Sequence, residues 1–355
     1  MESAATSHVF HDFRRFPRTR YQGSKRKLAW WVVNQVAELD SRTVLDAFGG
    51  TGSVAYAFKC AGKQVTYNDV LAFNQQIGLA LIENGDVRLS GEDVQAILAP
   101  KLDRDYPDFI DRTFRGIYFT DDENRWLDRA VTHLSAIPCR MKRALGYFAL
   151  FQAAIAKRPY NLFHRRNLYM RTADVKRGFG NKKSWDRSFD DHFRRYVDEA
   201  NRAVFDNGTP CRATCSDALD IKPEYDLVYV DTPYITAKGV GVDYRDFYHF
   251  LEGLMNYDRW AGLIDRRSRH RRLIPTTNPW TKPGQCGEQF RRLFDRFRDS
   301  ILVVSYRSDG IPSIGQLTRR LREVKRRVRI VEFDSRPYAL STNRKSREVL
   351  LIGTD

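Results

Sequence analysis

Val44-Leu45-Asp46-Ala47-Phe48-Gly49-Gly50-Thr51-Gly52-Ser53 is an apolar run that ends on an acid and breaks into a glycine-rich turn. Thr43–Ala47 reads as a buried strand, Gly49–Ser53 as its turn, and Val54–Ala61 as a helix stopped at Gly62, a natural residue for the left-handed position after a helix. Gln64–Tyr67 follows as a second strand ending at Asn68-Asp69. Strand, glycine turn, helix and strand within about 27 residues make a βαβ unit, which sets the fold class as α/β around a Rossmann-like sheet.

Upstream, Tyr21-Gln22-Gly23-Ser24-Lys25-Arg26-Lys27-Leu28 reads as a turn that opens a helix through Trp30, Trp31, Val33 and Val36, with Ser24 as its N-cap. Residues 1–19 are polar and basic and are expected to be a flexible arm. Downstream, 70–205 is mostly helical in pattern, and regular alternation returns only after about residue 210. Strands are expected at Asp226–Val230, Arg272–Thr276 and Ile301–Tyr306, and Arg326–Phe333 with Arg347–Ile352 alternates as an antiparallel hairpin would. Leu317, Leu321, Val324 and Val328 have the spacing of an amphipathic helix. These readings divide the chain into a catalytic domain (20–84 and 206–355) and an inserted, mainly helical region (85–205).

The chain has 355 residues and a formal net charge of +16. A charge of that size speaks about partners, and a nucleic acid leads among them, although a generally basic proteome would give the same number. Five scattered cysteines make no disulfide framework, and Cys211 and Cys215, spaced CxxxC without a second pair, read as small buried hydrophobes and not as a zinc site. No secretory leader or run of about 18 apolar residues is visible. The expectation is a reduced, cytoplasmic protein with neither membrane nor metal.

A glycine turn after a strand lets the backbone approach a ligand closely, and in such folds the ligand sits beyond the carboxyl ends of the strands. This turn has neither the GxGxxG spacing nor the GK[ST] ending of phosphate-binding loops. A cofactor without phosphates fits better, and S-adenosylmethionine is expected on Asp46 and Phe48–Ser53, with Asp69 on its ribose. The plainer reading of both is a tight connection and a strand-end acid.

Leu227-Val228-Tyr229-Val230-Asp231-Thr232-Pro233-Tyr234 is a second strand running into a loaded turn. An aromatic amine is a poor nucleophile because its lone pair is delocalised into the ring. A carboxylate accepting one N–H and a backbone carbonyl accepting the other restore tetrahedral character at nitrogen and stabilise the charge that develops there. Tyr234 offers a ring face for a base, and a base inside a duplex must first be flipped out. Alone, the turn could equally be an aspartate cap stiffened by proline.

Residues 157–187 carry ten Lys or Arg against two Asp, with Tyr160, Phe163, Tyr169, Phe179 and Trp185 interleaved. Basic groups meet phosphates and aromatic rings stack on bases, so Lys157, Arg158, Arg165, Arg166, Arg171, Lys182 and Lys183 are the expected nucleic-acid contacts. A solvated basic face is the alternative. The clusters Arg266–Arg272 and Arg319–Arg329 read ambiguously.

Taken together, these segments resemble the Dam-type N6-adenine DNA methyltransferases of bacteria and phages. Tyr21-Gln22-Gly23-Ser24-Lys25 is similar to their N-terminal cofactor motif, Asp46–Ser53 to D-P-F-x-G-[ST]-G-S, Asp69 to the ribose acid, Asp231-Thr232-Pro233-Tyr234 to D-P-P-Y, and Ser305–Gly310 to a late segment. The resemblance implies that Tyr21, Lys25, Asp46, Phe48, Gly49, Gly50, Gly52, Ser53 and Asp69 bind S-adenosylmethionine, with Asp217 near its adenine, and that Asp231, Thr232, Pro233 and Tyr234 hold the target adenine. Ala47 and Thr232 stand where that family has proline; the carbonyl needed from position 232 is kept. The resemblance makes the inserted region, 85–205, the DNA target-recognition region, and the implied partners are double-stranded DNA and a cognate restriction endonuclease, for a monomer or weak dimer. An RNA adenine methyltransferase and a catalytically inactive DNA-binding module are the competing readings; a protein glutamine methyltransferase would begin its turn with Asn.

Overall fold

The structure is a computed structural model that describes residues 13–101, 103–174, 182–333 and 346–355. The first twelve residues of the expected arm, and Lys176, Arg177 and Phe179 of the basic stretch, lie outside the described residues. The chain folds into two compact units: Arg26–Val70, Asn207–Tyr244 and Thr276–Asp355 form one, and Met1–Lys25, Leu71–Asp206 and Arg245–Pro275 the other.

The first unit holds a seven-stranded sheet: β1 (Thr43–Asp46), β2 (Gln64–Asp69), β3 (Arg212–Cys215), β4 (Leu227–Val230), β5 (Ile301–Arg307), β6 (Arg327–Glu332) and β7 (Glu348–Thr354), in the order β3-β2-β1-β4-β5-β7-β6. β1 to β5 are parallel, and β7 slots antiparallel between β5 and β6. β4 is buried along its whole length, as an apolar Leu-Val-Tyr-Val run covered on both faces must be. The chain leaves β1 toward β2 on one side, while β4 lies on the other, so the β1/β4 boundary is a topological switch point. In register, Asp46 sits between Tyr67 and Tyr229.

Five local expectations are corrected. β3 was not anticipated: four residues beginning with an exposed arginine carry almost no apolar signal. Arg272–Thr276 contributes a single bridge, Ile264 to Leu273, because Ile274 and the residues after it face solvent. The tryptophan helix begins at Ala29 with Leu28, and not Ser24, at its N-cap. Cys211 is buried as expected, whereas Cys215 is exposed at the end of β3. The helix Ile314–Arg322 buries Leu317 and Leu321 but stops before Val324, and Val328 belongs to β6.

The second unit is helical. Its central helix, Arg140–Ala156, is buried from Ala144 onward. The helix Asp121–Ser135 opens with a capping box: Thr120 Oγ1 accepts from the Glu123 amide, and the Glu123 carboxylate accepts from the Thr120 amide. The division departs from the expected boundaries, since 71–84 and 245–275 pack with the helices. Phe73 meets Phe151 edge-on at 5.7 Å, Glu252 accepts both the Ala72 and Phe73 amides, and Phe250 and Trp260 pack against Phe114. Residues 13–19 carry Phe13 and Phe16, both buried and stacked on each other. Among the described residues, no helix is long and apolar enough to cross a membrane.

Candidate active site

Two turns leave the sheet on neighbouring strands. β1 and β4 are hydrogen-bonded partners, and parallel neighbours lie about 4.8 Å apart, so the glycine turn and the Asp231 turn emerge side by side. The Ala47 amide donates to the Tyr229 carbonyl at 3.0 Å, carrying the pairing to the mouth of both turns.

The glycine turn is held from below by β2. The Gly49 amide donates to Asn68 O at 2.7 Å, and Tyr67 Oη donates to Gly50 O at 2.7 Å. The Tyr67 ring lies so close under the turn that a Cβ on Gly49 would stand 2.1 Å from it, which leaves room for glycine alone. Gly52 adopts φ +73° and caps the helix Ser53–Cys60. The Asp69 carboxylate accepts the Gly50 amide at 2.9 Å. Phe48 meets Trp280 edge-on at 5.0 Å.

Asp46 is buried, and among the described residues no hydrogen-bond partner meets its Oδ1. Burial raises its carboxyl well above the usual carboxylate range, and the neighbouring Asp231 and Asp69 push it the same way. Three carboxylates at one end of the sheet make a place where a cation is stabilised. The residues present therefore fit a ligand that brings a positive charge and needs close backbone approach.

In the second turn, Tyr234 Oη donates to Asp231 Oδ1 at 2.9 Å, and the Tyr234 ring stands against Tyr306 at 5.7 Å. Thr232 is buried, and its hydroxyl, the atom group that a proline would lack, meets no partner among the described residues. After Pro233 and Tyr234 the chain turns back: the Val242 amide donates to Tyr234 O at 3.0 Å and Ile235 bridges to Gly241. That return fixes the turn from its far side.

Asp217 follows β3, is exposed, and caps its own turn by accepting the Leu219 amide at 2.9 Å. Tyr21 and Lys25 belong to the helical unit. There Tyr21 stacks on Tyr248 at 4.3 Å, the Gln22 amide donates to Tyr248 Oη at 2.7 Å, and Lys25 is buried. Among the described residues, no group of three His, Cys, Asp or Glu is placed to hold a metal.

Sequence reasoning missed Asn68. Its side chain donates to Ala47 O and Ser216 O and accepts from the Ser216 amide and Thr214 Oγ1, tying the ends of β1, β2 and β3 together. An amide buried at a strand end, beside an acid, was the available signal. Tyr67 was missed because nothing in a strand pattern says which tyrosine lies under a glycine.

The basic stretch is corrected residue by residue. Lys157, Arg158 and Arg171 are buried and cannot meet phosphate in this arrangement. Lys157 Nζ pairs with Glu123 at 2.8 Å and Arg171 pairs with it at 2.7 Å. Burial alone would raise the Glu123 carboxyl, but these two cations hold it below its ordinary value. Arg158 donates to the carbonyls of Leu162, Tyr118 and Arg165 and to Asn167, with its guanidinium 4.3 Å from the Tyr118 ring centre. Arg165, Arg166, Lys182 and Lys183 are exposed.

Residues 21–259 match the family of D12 class N6 adenine-specific DNA methyltransferases. A Type II methyltransferase of Haemophilus parahaemolyticus, M2.HphI, is 29% identical over 328 residues, 90% of this chain and 91% of that protein. The chain belongs to the D12 class N6 adenine-specific DNA methyltransferase family and is an adenine-specific DNA methyltransferase.

Proposed function

We propose that the chain takes its methyl group from S-adenosylmethionine and delivers it to the N6 amine of an adenine flipped out of double-stranded DNA at a specific sequence. The observation that carries this reading is the pair of turns beside one another at the β1/β4 switch point, one glycine-lined and acidic, the other Asp231-Thr232-Pro233-Tyr234.

The buried Asp46, together with Phe48, Gly49, Gly50, Gly52 and Ser53, forms the cradle for the cofactor; Asp69 takes a ribose hydroxyl and Asp217 sits toward its adenine. The resemblance adds Tyr21 and Lys25. When bound, S-adenosylmethionine supplies an electrophilic methyl on a sulfonium. Asp231 accepts one N–H of the target amine and the Thr232 carbonyl accepts the other, which localises the nitrogen lone pair and stabilises the positive charge it gains. Pro233 stiffens the turn and the Tyr234 ring stacks on the base. The hydrogen bond from Tyr234 to Asp231 holds the carboxylate oriented until the base arrives. Positioning supplies much of the remaining acceleration. Among the expected basic contacts, Arg165, Arg166, Lys182 and Lys183 serve the DNA.

The similarity to a Type II methyltransferase supports a role as the modification enzyme beside a cognate restriction endonuclease, acting in the cytoplasm as a monomer or weak dimer. Calorimetric titration with S-adenosylmethionine tests the cofactor assignment. Asp69→Ala is expected to weaken binding severalfold, as loss of one charge-assisted hydrogen bond does; unaltered affinity would make Asp69 purely structural.

A further inference from the structure

The segment Asp265-Arg266-Arg267-Ser268-Arg269-His270-Arg271-Arg272 lies beyond the family match, which ends at residue 259. It is the tip of a short hairpin whose stem pairs Ile264 with Leu273, with the Asp265 amide on Arg272 O and the Ile274 amide on Leu263 O, both at 2.8 Å. The tip is folded tightly. Asp265 accepts the Arg267 amide at 3.0 Å, the Ser268 amide donates to Asp265 O, and the Arg271 amide donates to Ser268 O. Arg271 sits at φ +56° with its guanidinium on Arg266 O, and Arg272 pairs with Asp265 and Asp246.

The underside of the hairpin is anchored in the core of its unit. His270 O lies 2.8 Å from Tyr118 Oη, and the His270 ring meets His249 edge-on at 5.5 Å. The same tyrosine hydroxyl lies 2.5 Å from Phe163 O, immediately before the exposed Arg165 and Arg166. One buried tyrosine hydroxyl thus lies against the backbone of two basic turns. On the hairpin, the guanidiniums of Arg266, Arg267 and Arg269 are exposed, and none makes a hydrogen bond or ion pair among the described residues.

We propose that the 264–273 hairpin, together with the 164–166 turn, is a preformed clamp for the sugar-phosphate backbone of the duplex substrate; this rests on the DNA methyltransferase reading. Five arginines in seven residues repel one another, and the nearby Asp265 and Asp246 are engaged by only one of them. A polyanion relieves that repulsion, and the tight hairpin means little ordering is lost when it binds. Asp265, Ser268 and His270 are only partly exposed and are engaged within the tip, so its exposed side chains are Arg266, Arg267 and Arg269. That composition suits phosphate contact, which positions the duplex without reading it.

The test compares full-length wild type with the triple variant Arg266→Gln/Arg267→Gln/Arg269→Gln and its lysine counterpart, on target-containing and target-free duplexes across a salt series. Each phosphate contact contributes about 0.9 to the slope of log affinity against log salt. The glutamine variant is expected to lose about 2–3 from the slope equally on both duplexes. The lysine variant is expected to recover the slope, since counterion release follows charge. An unchanged slope in the glutamine variant, or a loss confined to the target duplex, which would mean base reading, overturns the clamp. Wild type that binds no duplex would bring down the enzyme reading with it, whereas wild-type binding with an unaltered variant slope overturns the clamp alone.

Discussion

The two units handle charge in opposite ways. The sheet unit gathers Asp46, Asp69 and Asp231 at one end, leaves one oxygen of Asp46 without a partner among the described residues, and tolerates a raised carboxyl there. The helical unit takes the basic residues that most resemble a DNA surface, Lys157, Arg158 and Arg171, and closes them around Glu123 and a set of carbonyls. A buried carboxyl oxygen without a partner points to a binding place, whereas basic groups paired with a carboxylate and carbonyls are scaffolding. The same contrast recurs inside the helical unit, where Arg158 is satisfied and Arg266, Arg267 and Arg269 are not.

The largest expected effect on this contrast comes from Arg158→Met. It removes the guanidinium donor of the Leu162 and Arg165 carbonyls, Tyr118 O keeping its bond from Arg171, and each buried acceptor left unmade costs about 1–3 kcal/mol. Thermal or denaturant unfolding should show a loss on the order of 3–5 kcal/mol. A stable Arg158→Met protein with weakened DNA binding would reverse the assignment of inward and outward bases. Next in size, Arg165→Gln/Arg166→Gln should leave the melting temperature within about a degree, as surface changes do, while lowering the salt slope of DNA binding. An unaltered slope would remove that turn from the interface.

The smallest effect is a pH dependence. His249 is buried against Tyr118, Phe163 O and His270, with Arg158 and Arg245 nearby; burial and then His270 hold its imidazole well below the usual histidine range. The native state keeps it neutral while the unfolded chain protonates, so the unfolded state binds more protons and stability falls as pH drops below about 6.5. His249→Gln keeps a side-chain hydrogen-bonding group and removes the titration. Its melting temperature should fall less steeply than wild type between pH 7 and 5, and parallel curves would show that His249 does not titrate on unfolding.

The two site motifs were legible because backbone chemistry dictates them. A glycine that must admit Tyr67 beneath it, or an aspartate at a strand end, carries its reason in its residue type. The role of Asn68 and the strand β3 were poorly legible, since Asn68 ties β2 to Thr214 and Ser216, more than a hundred residues away, and β3 is four residues long. The orientation of Lys157 and Arg171 was hidden for the same reason. Their counter-ion, Glu123, sits in a distant capping box, and composition alone does not distinguish a basic face from a basic core.

The most direct test is nucleoside analysis of unmethylated duplex DNA after incubation with S-adenosylmethionine and either wild type or Asp231→Ala. The account predicts N6-methyladenine with wild type, and a fall of about 10³-fold or more in kcat with Asp231→Ala while cofactor affinity is retained. Near-normal turnover by Asp231→Ala, or label appearing in RNA and not in DNA, would contradict it.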